Sequence, residues 1–224
     1  MYAASSATAK AKHGEPKRSP KLLKEFEKVA LSDRDLTKLL SSDGINCKIT
    51  MYPELHRMQH LDELFGPTGC GIILYESQPH YGHWSAIIRG IGNDPSLVEL
   101  YNPYGNAGGR TGPKSFGGWP DDPLRTLVER GGSDDFLRRT HQDQPYLSRL
   151  LLGSGYALSY NEYQMQARGG DIRTCGRHSA ARIMYRHLPL DQYVSQLRET
   201  AARFGMTPDG VVTLLTASVG IPPK

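Results

Sequence analysis

Apolar residues gather in a few short runs in the middle of the chain, and those runs are flanked by stretches with helical spacing. Residues 71–75 read Gly-Ile-Ile-Leu-Tyr, a continuous apolar run of the kind that forms a buried strand. Residues 83–88 alternate: Trp84, Ala86 and Ile88 share one face, and His83, Ser85 and Ile87 share the other. Residues 97–101 repeat the pattern, and short turns between the three predict an antiparallel meander. Residues 45–52 and 156–160 add further strands. Helical periods run through Leu22, Leu23, Phe26 and Ala30, and through Leu36, Leu39 and Leu40 behind a Ser32–Asp35 capping box. Further helices are expected over 55–65, 122–130, 135–139 and 190–204, with a last one begun by Thr207-Pro208-Asp209. Residues 105–145 are dense in Gly and Pro and read as an insertion or flap. The sum is an α+β fold: a central, mostly antiparallel sheet flanked by helices, with residues 21–224 as a single domain.

The stretch from Asp171 onward reads as an extended segment turning into a helix. Thr174 is placed to cap it, and Pro189 ends it. Ala180, Met184 and Leu188 share its apolar face, whereas Arg182 and Arg186 form a polar stripe. Cys175 then sits in the first turn, where the positive end of the helix dipole favours a thiolate. Gly176 lets a substrate or another segment come close. The plain alternative is a small buried hydrophobe, a common fate of cysteine.

Composition narrows the setting. The 224 residues are 38% hydrophobic, which suits one compact domain. No run of about 18 apolar residues is present to span a membrane, and the N-terminus lacks a signal-peptide layout. Three cysteines (Cys47, Cys70 and Cys175) argue against a disulfide framework and for a reducing compartment. His56 and His60 stand four apart, but Arg57 follows His56 where a zinc peptidase carries its Glu, so the pair reads as helix surface and no metal is expected. The formal net charge is +4. Residues 1–20 carry much of the basic excess as a flexible arm, either a solvated tail or a DNA tether.

Thiol catalysis needs a base, a partner that orients it, and donors for the oxyanion. His83 opens a strand, Asn102 closes the neighbouring one, and Cys175 starts a helix. Gln164 or Gln166 lies upstream of Cys175 and can supply a side-chain N–H beside the Cys175 amide.

In this order, Gly82-His83-Trp84, Tyr101-Asn102-Pro103-Tyr104-Gly105, a Gln, and Thr174-Cys175-Gly176 resemble the adenovirus protease (adenain) and ubiquitin-like-protein (SUMO) protease group of cysteine peptidases. The Arg177-His178 continuation is similar to versions from large DNA viruses. The resemblance implies a papain-like core with His83, Asn102, Gln166 and Cys175 as the catalytic set and Gln164 as the alternative oxyanion donor. Gln166 is preferred because it stands closer to Cys175. Trp84 and Gly176 are implied at the substrate side, and no cofactor is implied. Substrates would be proteins with small residues, especially Gly, beside the scissile bond. In the viral branch these are capsid and core precursors, which places the enzyme in the virion or infected cell. In the SUMO-protease branch they are modifiers ending in Gly-Gly. The third reading is a catalytically lapsed relative that binds DNA. Asn102 departs from the commoner carboxylate, the Gln stands further from the Cys than in the SUMO-protease branch, and the 105–145 insertion has no placed counterpart.

Overall fold

The computed structural model describes residues 20–79, 81–105, 134–167, 169 and 171–221. The expected helix over 122–130, most of the 105–145 insertion and residues 1–19 of the basic arm lie outside these. One five-stranded sheet runs in chain order through β1 (Lys48–Met51), β2 (Cys70–Gln78), β3 (Tyr81–Arg89), β4 (Leu97–Tyr101) and β5 (Ala157–Tyr160). The meander β2–β3–β4 is antiparallel, as the short turns require. Both edge pairings, β1 with β2 and β4 with β5, are parallel. The sheet is therefore mixed rather than mostly antiparallel. The edge strands reach their partners through long connections, 52–69 and 102–156, which permit a parallel return.

Seven α-helices are described: α1 (Pro20–Glu27), α2 (Asp33–Ser42), α3 (Asp134–Arg139), α4 (Tyr146–Leu152), α5 (Cys175–Met184), α6 (Leu190–Phe204) and α7 (Pro208–Leu215). The Ser32 cap forms as expected: Asp35 N–H donates to its hydroxyl at 3.2 Å, and Ser32 N–H donates to the Asp35 carboxylate at 3.0 Å. The helix expected over 55–65 is instead two short 3-10 turns, Tyr52–Arg57 and Leu61–Leu64. The extended backbone at Met58, φ −78° and ψ 139°, breaks the ladder between them.

The sheet is covered on both faces, so β2 has no solvent side. Ile72, Leu74, Trp84, Ala86, Ile88 and Tyr101 pack against α2, α5, α6 and α7. Ile73, Tyr75, Ile87, Val98 and Leu100 pack against the 3-10 turns, α3 and α4. Near the β2–β3 turn, the Gln142 side chain acts as a strand partner. Glu76 N–H donates to its Oε1 at 2.8 Å, and its Nε2 donates to Glu76 O at 3.0 Å.

The helix α5 is buried all round, contrary to the polar stripe expected for it. Arg182 is inaccessible to solvent and grips Glu99 of β4 in a fork, with Nε at 2.6 Å from Oε1 and Nη2 at 2.8 Å from Oε2. Its remaining donors reach the carbonyls of Tyr185 and Leu188, each at 3.0 Å. Arg177 is equally buried and donates to Thr216 O and Oγ1, at 3.1 and 2.8 Å, and to Gly220 O. Burial lowers the Arg177 pKa to about 10, against the opposing charge of Asp35. Among the described residues, no helix is long and apolar enough to cross a membrane.

Replacing one member of the Glu99–Arg182 pair strands a buried charge. Arg182→Met should cost about 3–5 kcal/mol in urea unfolding. Adding Glu99→Gln should recover part of that loss; a double variant no more stable than Arg182→Met would reject the stranded carboxylate as its cause.

Candidate active site

His83 is the third residue of β3, buried, and paired across the sheet with Tyr75. Its Nε2 lies 2.9 Å from Asn102 Oδ1. The same Oδ1 accepts the Tyr104 N–H at 3.0 Å. Because a backbone N–H can only donate, the Asn102 side chain presents its oxygen here, and His83 Nε2 must carry a proton to meet it. Neutral His83 then holds its lone pair on Nδ1. The Tyr104 ring stacks on the imidazole, with centroids 4.7 Å apart and planes 17° from parallel. The ring is thus fixed in tautomer and orientation by one turn, Asn102-Pro103-Tyr104-Gly105.

That turn is tied down in its own right. Asn161 is buried and donates to Asn102 O at 2.7 Å and to Tyr163 O at 2.9 Å. Pro103 O accepts from the amides of Met165 and Gln166, each at 2.9 Å. A side chain at Gly105 would enter the Tyr163 backbone, at 2.6 Å from its carbonyl carbon, so only glycine permits this approach. The Asn102–Gly105 turn and the Gln166 segment are therefore tied directly to each other.

Cys175 begins α5 and is 7% exposed. Its thiol is met by the amides of Trp84, Gly176 and Cys175 itself. The sulfur consequently rests against the peptide that joins His83 to Trp84. Burial pushes the thiol pKa up, and the three amides only partly offset it. The net shift is upward, against the thiolate that the helix dipole alone favours. Trp84 and Gly176 lie beneath the helix start. Trp84 Nε1 donates to Leu31 O at 3.0 Å, and a Cβ on Gly176 would come within 3.2 Å of Trp84 Cδ1. Both residues seat α5 on the sheet.

Gln166 is 1% exposed, and its Oε1 has no hydrogen-bond partner among the described residues. Gln164 is exposed and folds its amide back onto Gln166 O at 3.3 Å. Thr174 does not cap α5; its hydroxyl donates to Asp209 Oδ1 instead. Asp209, in the first turn of α7, was not singled out from the sequence, where it reads as an ordinary helix-start acid. Its Oδ1 also meets His178 Nε2 at 3.1 Å, and its Oδ2 accepts the Ala167 N–H at 3.0 Å. One buried carboxylate thus joins the residue after Gln166, the residue before Cys175 and the first turn of α5. Burial raises its pKa, but the hydrogen bonds and charge of His178, with Thr174 and Ala167, hold it below the ordinary carboxylate value.

No family model matches the chain. The Uncharacterized protein V9 of Sputnik virophage is 33% identical to it over 196 residues, spanning 88% of this chain and 99% of that protein. The chain belongs to the family of that virophage protein.

In the native chain, iodoacetamide should label Cys175 slowly at neutral pH and faster only above about pH 8.5, the usual thiol value. Labelling already maximal at about pH 6 would contradict a desolvated thiol. Asp209→Ala should lower stability by about 3 kcal/mol at neutral pH. The folded-state pKa of Asp209 is depressed, so its contribution should be complete above about pH 4 and disappear as the pH falls further. Chemical unfolding of both chains across that range reads the difference, and a gap independent of pH would rule out a carboxylate origin.

Proposed function

We propose that this member of the virophage V9 family is a cysteine endopeptidase of the adenain-like and SUMO-protease-like group, cutting capsid and core precursor proteins during virion maturation. The observation that carries the reading is the His83–Asn102 pair, fixed in tautomer by the Tyr104 amide, with the Cys175 sulfur resting on the peptide next to His83. The virophage relative supports the viral setting.

In this reading His83 Nδ1 takes the proton of Cys175 as the sulfur attacks the scissile carbonyl. The positive charge that develops on the imidazole is held by Asn102 Oδ1 through Nε2–H. The carbonyl oxygen gains the negative charge and receives the Cys175 N–H and the Gln166 side-chain amide. The C–N bond breaks, and the proton on Nδ1 goes to the leaving amine, which leaves a thioester on Cys175. Water then attacks the thioester, gives its proton to Nδ1, and the thiolate departs to recover it. A nucleophile that is only 7% exposed favours substrates with little side-chain bulk on either side of the bond, in keeping with Gly there. Asn102 balances the imidazolium less well than a carboxylate would, so a larger share of the stabilisation falls on the amides around the sulfur.

The test is cleavage of recombinant capsid and core precursors and of Gly-containing peptides drawn from them. Cys175→Ala should abolish turnover. His83→Ala should lower kcat about 10²–10⁴-fold, and Gln166→Ala about 10²–10³-fold with little change in KM. Gln164→Ala should leave kcat close to wild type. Cleavage of ubiquitin-like fusions in preference to the viral proteins would move the assignment to a modifier isopeptidase. Salt-sensitive DNA binding that survives Cys175→Ala, with no turnover of any protein, would overturn the enzymatic reading.

A further inference from the structure

The other two cysteines stand together at the far end of β2. Cys47 directly precedes β1, and Cys70 opens β2. Lys48 pairs with Gly71 in parallel register, so the register continued by one residue sets Cys47 beside Cys70. Paired residues on adjacent strands leave the sheet on the same face, about 4.8 Å apart, which falls within the Cα spacing of about 4.4–6.8 Å that a disulfide needs. The two thiols are in hydrogen-bond contact.

The segment around them is fixed. Thr68 Oγ1 lies 2.9 Å from Asn46 O and 3.2 Å from Cys70 Sγ, and Gly66 N–H donates to Cys70 O at 2.9 Å. Cys70 is fully buried, whereas Cys47 is half-buried. Cys47 faces a cleft of about 310 Å³ lined by Ile45, Asn46, Lys48, Phe65 and Gly66. The positive charge of Arg186 favours an anion on either sulfur. The hydrogen bond between the thiols and the Arg186 charge make the first proton of the pair easier to lose, while the same hydrogen bond and burial make the second much harder.

We infer that Cys47 and Cys70 form an oxidisable dithiol, a covalent modification site that closes by exchange with a small-molecule disulfide of the glutathione class. The first proton of the pair leaves Cys70, whose pKa the hydrogen bond with Cys47 lowers to about 7. Cys47, the sulfur that reaches the cleft, is the attacking thiol, and its proton passes to the Cys70 thiolate as it attacks. Its sulfur bonds to one sulfur of oxidised glutathione, the glutathione S–S bond breaks, and one glutathione thiolate leaves. Cys70 then loses its proton to that thiolate and attacks the Cys47 sulfur, expelling the second glutathione. The dithiol gives up two electrons, and one glutathione disulfide is reduced to two thiols. Cys70 and Tyr75, the strand partner of His83, are five residues apart on β2, about 16 Å at 3.3 Å per residue. The exchange therefore involves neither Cys175 nor its base.

The native chain is incubated with oxidised glutathione, its remaining thiols are alkylated after denaturation, and the peptides are mapped. The expected product joins the Cys47 and Cys70 peptides, leaves Cys175 alkylatable and carries no glutathione. Cys70→Ser should retain one glutathione on Cys47, because the resolving sulfur is gone. Cys47→Ser should leave Cys70 unmodified, with circular dichroism verifying that the variant is folded. Three alkylatable cysteines in the treated native chain, a persistent glutathione adduct on it, or a bridge to Cys175 would each overturn the proposal.

Discussion

A helix bearing two arginines and a histidine is buried on every side, and the fold is arranged to make that possible. Removing a guanidinium from water without partners would cost several kcal/mol. Each buried polar side chain of this set on α5 therefore has its own counterpart: Glu99 for Arg182, Thr216 and Gly220 for Arg177, and Asp209 for His178. These counterparts come from β4, α7 and the segments around it, so the sheet and the C-terminal helices are oriented by their donors and acceptors as much as by apolar contact. The position of Cys175 follows. It is the first residue of a helix held by three directional anchors, Arg177, His178 and Arg182.

The same economy governs the candidate catalytic groups, none of which is placed by its own element alone. His83 is held by a turn that follows β4, and that turn is held by Asn161 and by the amides of Met165 and Gln166. The Gln166 segment is held in turn by Asp209 through the Ala167 amide, and Asp209 also grips the residue before Cys175. A continuous chain of hydrogen bonds thus runs from His83, through the Gln166 segment, to Thr174, the residue before Cys175. A shift at one end must be transmitted or must break a buried bond, each worth about 1–3 kcal/mol when left unmade.

The parts of this arrangement that depend on local pattern were legible in the chain. Apolar runs located β2, β3 and β4, and the Ser32 capping box located α2, since both signals act over a few residues. His83, Asn102 and Cys175 stood out because each sits at a recognisable strand or helix position. The parts that depend on distant partners were not legible. Arg182 read with Arg186 as a polar stripe because its sequence carries no trace of Glu99, which is 83 residues away. Thr174 looked like a cap because its competitor for the hydroxyl, Asp209, lies 35 residues on. The sheet was expected to be mostly antiparallel, and the parallel edge pairings were not legible because direction depends on the path of long connections and not on the residues that pair.

The protonation of Cys175 is the point at which burial and reactivity oppose each other. A thiol inside the protein loses the water that would solvate its anion, and here that loss outweighs three convergent amides. The amides still do one thing that solvent would not: they are already aimed at the sulfur, so no reorganisation is needed as charge appears there. The cost of desolvation falls on the resting thiol. The tautomer imposed on His83 through Asn102 and Tyr104 leaves its lone pair on Nδ1, the atom that takes the proton in the proposed mechanism. On the proposed reading, a thiol only 7% exposed is reached only by a slim substrate.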